Sequence, residues 1–360
     1  MNILAASVAR LFFYLIQPYF LITKTMKKFF SLLFLLPVCL LAQEAPALKD
    51  TSYWKSGSSF NLNISQAGYS NWASGGINSI AWTMLNNSFL DYKKDKVSWS
   101  NSLELAYGMT RLGKFSDPKN KFRKTDDKIS FISKFSYGLK NTKFSALLDF
   151  RSQIANGFNY PFPTDSAKTF TSRFLAPAYI VLGTGIEYAP NANFYVFYSP
   201  VAVKGTIVDY QPFADAGQFG VRAAYFDSVA NKLVEGKNSR FEFGSYLNAK
   251  YKKDLTSNIT FTTALTLFEA YFREELKDGK YVNVFNGNVD VFWDATLLMK
   301  VNKYITASIA TTMIYDDDVK LLRRKDEDKP AGERILGPAI QFREVISVGF
   351  AANIRSKNAK

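Results

Sequence analysis

The sequence contains no histidine and one cysteine, Cys39, and past residue 42 no apolar run approaches the roughly 20 residues that a membrane-spanning helix needs. Each absence removes a class of chemistry. Without histidine there is no Ser-His-Asp or Cys-His nucleophile pair, no His-ligated zinc and no imidazole switch near neutral pH. A lone cysteine cannot close a disulfide within its own chain. Acidic residues are also short relative to basic ones, 31 against 45. What is abundant is aromatic: 32 Phe and 20 Tyr in 360 residues, a length that one large all-β domain can use in full.

The N-terminus reads as an address. Met26-Lys27-Lys28, the apolar stretch Phe29 to Leu41 and then Ala42-Gln43-Glu44 have the basic start, short apolar middle and small-residue cleavage site of a secretory signal. Residues 1–25 are expected to be an upstream mis-assigned start, 26–42 the signal peptide, 43–56 a periplasmic lead, 57–355 the folded domain and 356–360 a tail. Cys39 lies inside the apolar segment, preceded by Val38 rather than the small residue of a lipid-modification site, so the mature chain has no cysteine, as suits an oxidising envelope compartment. Removing the first 42 residues takes away Arg10, Lys24, Lys27 and Lys28 and no acid, which lowers the formal charge from +14 to +10.

Past Phe60 the dominant signal is alternation with a period of two, the mark of strands with one apolar and one polar face. In the segment 97–110, Val97, Trp99, Leu103, Leu105, Tyr107 and Met109 share a face, and Ser98, Ser100, Ser102, Glu104, Ala106 and Gly108 share the other. The same pattern recurs over 129–139, 144–154, 241–251, 259–267 and 289–301. Counted through, it predicts about twelve strands, beginning near residues 58, 77, 97, 128, 143, 174, 194, 239, 259, 288, 304 and 338. Their connections alternate as well. Short polar turns such as Lys93-Lys94-Asp95-Lys96, Lys140-Asn141-Thr142 and Asn302-Lys303 take turns with long segments at about 67–76, 111–127, 155–172, 205–238, 272–287 and 316–337. An even strand count, with short turns on one side and long loops on the other, is the asymmetry of an outer-membrane barrel, and a soluble sandwich gives no reason for it. The fold expected is all-β, a transmembrane up-and-down antiparallel β-barrel.

Aromatics close the apolar faces, among them Tyr92, Tyr107, Tyr137, Phe150, Tyr188, Phe194, Tyr251, Tyr271, Tyr304 and Tyr315, as expected of girdles at two membrane interfaces. Three places resist the pattern. Glu344 falls on the apolar face with Phe342 and Ile346, where a bulge near Arg343 would turn it inward. Asn86-Asn87-Ser88 interrupts the second strand, and the seventh, 194–208, is too uniformly apolar for its faces to be assigned.

Trp54-Lys55-Ser56-Gly57, Asn71-Trp72-Ala73-Ser74-Gly75-Gly76, Lys124-Thr125-Asp126-Asp127-Lys128, Phe174-Leu175-Ala176-Pro177, Asp215-Ala216-Gly217-Gln218-Phe219-Gly220 and Tyr315-Asp316-Asp317-Asp318 resemble stretches of an uncharacterised family of Bacteroidota envelope proteins, catalogued as a domain of unknown function. The resemblance spans nearly all of residues 52–355 and implies an outer-membrane barrel, with no activity or ligand to transfer. The chain departs from the terminal aromatic common in barrels, since Ile354 is followed by Arg355 to Lys360. The insertion signal read by the barrel assembly machinery would then lie within 350–354.

The lumen-facing candidates mix signs: Glu104, Lys134, Asp149, Arg151, Glu242, Lys250, Asp290, Asp294, Lys300 and Arg343. They either pair between neighbouring strands and plug a narrow barrel, or form a lining that sorts permeants. Asp316, Asp317 and Asp318 open the last long loop, and Asp126-Asp127 closes an earlier one. Clustered carboxylates could bind Ca or Mg, although three consecutive acids lack the interleaving of a calcium loop and also fit a solvated or salt-bridged rim. Arg323, Arg324, Lys325 and Arg334 suit lipopolysaccharide phosphates, with nucleic acid a poor partner for an envelope protein. An enzyme without histidine would need a Ser-Lys, carboxylate-pair or metal mechanism, and no nucleophile motif is present. The expected function is a channel or transporter for a small solute or apolar molecule, gated or plugged by loops 205–238 and 316–337. The alternatives are a closed structural or adhesion barrel whose outer loops bind a ligand, and a His-independent outer-membrane enzyme.

Overall fold

A computed structural model describes residues 53–355 apart from 70–75, 114–116, 118–119, 160–168, 228–230, 278–279, 286 and 323–335. Residues 1–52 and 356–360, including the expected signal peptide and tail, lie outside the described residues, as do Arg323, Arg324, Lys325 and Arg334.

Twelve antiparallel strands close into a single barrel in which every strand pairs with its neighbours in sequence and the last returns to the first. They are β1 (Trp54–Ala67), β2 (Ser79–Lys94), β3 (Val97–Leu112), β4 (Arg123–Leu139), β5 (Thr142–Ser152) and β6 (Ala178–Asn191), then β7 (Phe194–Ile207), β8 (Ser239–Asp254), β9 (Ile259–Ala270), β10 (Val289–Lys300), β11 (Ile305–Tyr315) and β12 (Gln341–Arg355). Closure leaves no open edge, so every strand satisfies its backbone within the sheet. Among the described residues no helix is long and apolar enough to cross a membrane.

Register fixes the two faces. The outer face carries exposed Trp54, Phe60, Met84, Phe135, Leu182, Phe243, Ile346 and Phe350, which water would penalise and a bilayer solvates. At the short-turn end Trp54 packs at a tilt against both Tyr92 and Trp99, with ring centroids 5.0 and 6.1 Å away. The long connections extend the wall as antiparallel ribbons, such as Phe272–Lys277 with Lys280–Phe285, where the alternation alone suggests a loop.

The irregular places have physical causes. The inward set of β7 changes from Tyr195 and Phe197 to Ala202 and Lys204 because a bulge at Ser199-Pro200 shifts its register against β6. Gly185 sits opposite, where a Cβ would collide with the Tyr198 carbonyl. The segment Asn86-Asn87-Ser88 does not interrupt β2; Asn86 and Ser88 face outward and hydrogen-bond with Ser58, the amide donating to Ser58 Oγ at 2.8 Å. Glu344 is a correction. β11 and β12 pair without a shift from Ile305↔Phe350 to Ile314↔Gln341, so no bulge turns Glu344 inward and it stays on the outer face opposite Thr311. Asp126 and Asp127 are likewise strand residues rather than loop residues, since β4 begins at Arg123.

Candidate functional site: the barrel lumen

The inward faces of the barrel divide into two unlike halves. From β5 to β9 they carry bulky side chains: Leu147, Val181, Phe197, Tyr246 and Phe268 form one buried cluster with Ala202, Ala270 and Ile132. Charges in this half are neutralised in place. Lys134 pairs with Glu187 at 2.8 Å and lies 3.8 Å from the centre of the Tyr195 ring, while Ser136 and Ser145 donate to the same carboxylate. Asp149 accepts from Arg151 at 2.7 Å and from the Tyr246 hydroxyl at 3.1 Å. Arg151 reaches Thr266 of β9 and stacks 4.3 Å from the Phe292 ring centre. A buried ion is tolerable only with such partners, because desolvation otherwise outweighs the attraction.

Two ion-pair systems span the lumen between the halves. Lys128 on β4 pairs with Glu104 on β3 at 2.9 Å and with Asp294 on β10 at 3.8 Å, joining opposite walls. Arg343 on β12 meets Asp126 on β4. Together they form a septum, with the packed half on one side.

On the other side the inward faces of β11, β12, β1, β2 and β3 carry mostly small uncharged residues, interrupted by Lys55, Leu85, Phe89, Asp91, Glu104 and Arg343. The small ones include Ser308 and Ala310, Ser347 and Gly349, Asn61 and Asn63, Thr83 and Asn87, and Ser100 and Ser102. Asn87, Ser100 and Ser102 face inward and are nonetheless exposed, so this wall borders open space toward the short-turn end, while Ala106, Gly108 and Gly349 deeper on the same faces are buried. Small side chains are what leave that space, because a barrel of this size is otherwise filled from its walls.

At the long-loop end, Lys204 pairs with Asp290 at 2.5 Å and lies 3.8 Å from Glu242 and 3.9 Å from Asp316. Arg240 holds Glu242 at 2.7 Å and also Asp318. The described residues that follow β7 pack here on an aromatic cluster shared with the preceding connection, with Phe213 stacked on Phe170 at 5.3 Å and packed with Ala176, Val208 and Val221. The short helix α1 (Gln211–Asp215) supplies Phe213, and Asp215 accepts from the Gly236 amide at 2.8 Å.

The register places all ten lumen candidates on the inward face. Lys134, Asp149, Arg151, Glu242, Asp290, Asp294 and Arg343 enter the networks above; Glu104 joins through Lys128, and Lys250 and Lys300 sit toward the short-turn end. The structure does not bring the carboxylates of Asp316, Asp317 and Asp318 together: Lys204 faces the first, the Asn288 amide donates to the second at 2.6 Å, and Arg240 holds the third. Among the described residues no group of three or more acidic, His or Cys side chains is placed to hold a metal ion. Sequence reasoning missed Lys128, Glu187 and Lys204. Glu187 was legible, since it alternates with Ile186 and Tyr188 behind Gly183 and Gly185; the β7 bulge hid Lys204.

A family model described as protein of unknown function (DUF3078) matches residues 64–158. No curated protein matches the chain. Among solved structures, the chain is similar to an outer membrane channel from Pseudomonas putida F1, with 10% identity and a TM-score of 0.36 over 87% of this chain and 100% of that one. It is also similar to the translocator domain of the autotransporter NalP from Neisseria meningitidis, with 8% identity and a TM-score of 0.30 over 90% and 97%. A third similarity is to the Pseudomonas putida toluene transporter TodX, with 8% identity and a TM-score of 0.26 over 83% and 89%.

Proposed function

We propose that this barrel lies in the outer membrane of a Gram-negative bacterium of the Bacteroidota and passes a small solute along the wall formed by β11, β12, β1, β2 and β3. The observation that carries the reading is the exposed inward set Asn87, Ser100 and Ser102 on a wall of mostly small side chains, across the Lys128 and Arg343 ion pairs from the packed half. Hydroxyl and amide groups along such a wall exchange hydrogen bonds with a moving solute without holding it, which conduction requires. In this placement the short turns face the periplasm, lipopolysaccharide surrounds the long-loop end, and the barrel assembly machinery inserts the chain. The reading is passage and not catalysis. The reading needs no metal ion; Lys204 and Arg240 face Asp316 and Asp318.

The test is conductance in planar bilayers, with liposome swelling as a second readout for uncharged solutes. Wild-type protein whose gel mobility shifts on boiling should give steady ion steps or solute uptake, and Ser102→Trp should suppress both. Silence in both assays from folded protein would overturn the reading. It would favour a closed scaffold, a second reading that the packed half and the septum support.

A further inference from the structure

On the outer wall a groove of about 330 Å³ runs across β1 to β4, lined chiefly by Trp54, Ser88, Leu90, Trp99, Leu103 and Phe131. Its surface is apolar even where the sequence is not, because the polar atoms turn to protein partners. Ser88 donates to Asn86 at 3.0 Å, Asn101 donates to the Leu90 carbonyl at 3.0 Å, and Ser133 takes the Trp99 indole N–H at 2.9 Å while donating to Asn101 at 2.8 Å. Trp54, Tyr92 and Trp99 close the groove at the short-turn end.

Directly beyond these rings the β2–β3 turn presents Lys94, which shares the outward register of Tyr92, and Lys96, both exposed, against one acid, Asp95; exposed Lys93 has the inward register of Ser98. Lys94 Nζ stands 5.0 Å from the Tyr53 ring centre. Exposed lysines recur at the other short turns, with Lys140, Lys252, Lys253 and Lys303 against Asp254. Aromatic rings of this kind mark the depth of the membrane interface, so the β2–β3 lysines stand at headgroup level, with an apolar groove running from them toward the bilayer interior.

We propose that this groove and turn form a binding site for an anionic phospholipid of the leaflet at the short-turn end. An acyl chain lies in the groove past Leu103 and Phe131, and the phosphate meets Lys94 and Lys96. A second copy of this chain docked here would bring two sets of these lysines together, whereas a phosphodiester complements them. Each lysine at a membrane surface adds attraction for anionic lipid, and a groove of several hundred Å³ supplies the shape that diffuse attraction lacks. The inference rests on the membrane placement proposed above and is independent of transport.

Native mass spectrometry of the detergent-folded chain with added phosphatidylglycerol or phosphatidylethanolamine tests it. The wild type should retain phosphatidylglycerol roughly tenfold better, as headgroup charge at a two-lysine site implies. The double variant Lys94→Gln, Lys96→Gln should lose that preference. Leu103→Trp, which fills the groove, should weaken retention of either lipid. Lys252→Gln with Lys253→Gln, at another turn, should change neither, and a boiling-shifted band checks the fold of each variant. Equal retention of the two lipids, retention unchanged in the Lys94/Lys96 variant or in Leu103→Trp, or equal loss in the Lys252/Lys253 variant would overturn the site. So would displacement of phosphatidylglycerol by lipopolysaccharide. A chain that folds without detergent would instead overturn the membrane placement, and a barrel that binds the lipid yet conducts nothing would leave this site standing.

Discussion

The two halves of the lumen share one backbone pattern and differ in what fills it. On the β5–β9 side, Phe197 and Tyr246 are 0% and 1% exposed and the acids and bases between them are paired. On the β11–β3 side, Ser100 and Ser102 occupy equivalent inward positions and remain open to solvent. Alternation is equally clear in the two halves, so it decides only which residues face inward. Side-chain volume and charge pairing decide whether the inward face becomes a core or a passage.

The same substitution placed in each half separates them most sharply. Ser145→Trp inserts an indole where Ser145 is fully buried against Ser136 and Glu187, and overpacking there should cost about 3 kcal/mol or more. The expected result is loss of the boiling-shifted band. Ser100→Trp, at an exposed inward position, should leave that band intact while cutting unit conductance by roughly tenfold, since a bulky side chain narrows the space along this wall. If both variants fold and both conduct, the division into halves is wrong.

The septum gives a subtler test. Lys128→Met removes the cation between Glu104 and Asp294 and leaves two carboxylates beside the open wall. Bi-ionic reversal potentials should shift toward cation selectivity. The cost in stability should be modest, about 1 kcal/mol, because all three side chains are partly solvated. An unchanged reversal potential would place the permeation route away from the septum.

The smallest expected effect lies outside the lumen. Glu344→Leu removes a charge from the lipid-facing side of β12 and should stabilise the barrel by up to about 1 kcal/mol in urea titrations of the lipid-folded protein, with conductance unaffected. A destabilised variant would show that Glu344 has a partner in the membrane.

Much of this architecture is legible in the order of residues along the chain. Strand number, the alternation of turns and loops and the inward set including Asp149, Arg151, Asp290 and Asp294 follow from period two alone. Lys204 is hidden because the bulge at Ser199-Pro200 changes which residues of β7 face inward, and a bulge has no reliable sequence mark in an apolar strand. Pairings are hidden for another reason. Lys128 and Asp294 are 166 positions apart, and nothing local to either one names the other.

The sequence by itself determined the barrel: its twelve segments, their outward apolar faces, its aromatic ends and the lack of histidine chemistry, because these properties depend on each strand separately. Closure decided the rest. Only when β12 meets β1 do opposite walls come within reach of a lysine, and only then do Lys128 and Arg343 divide the lumen into a packed half and an open one. Contacts across a closed sheet depend on shear and register summed around the whole circuit, which no single strand encodes.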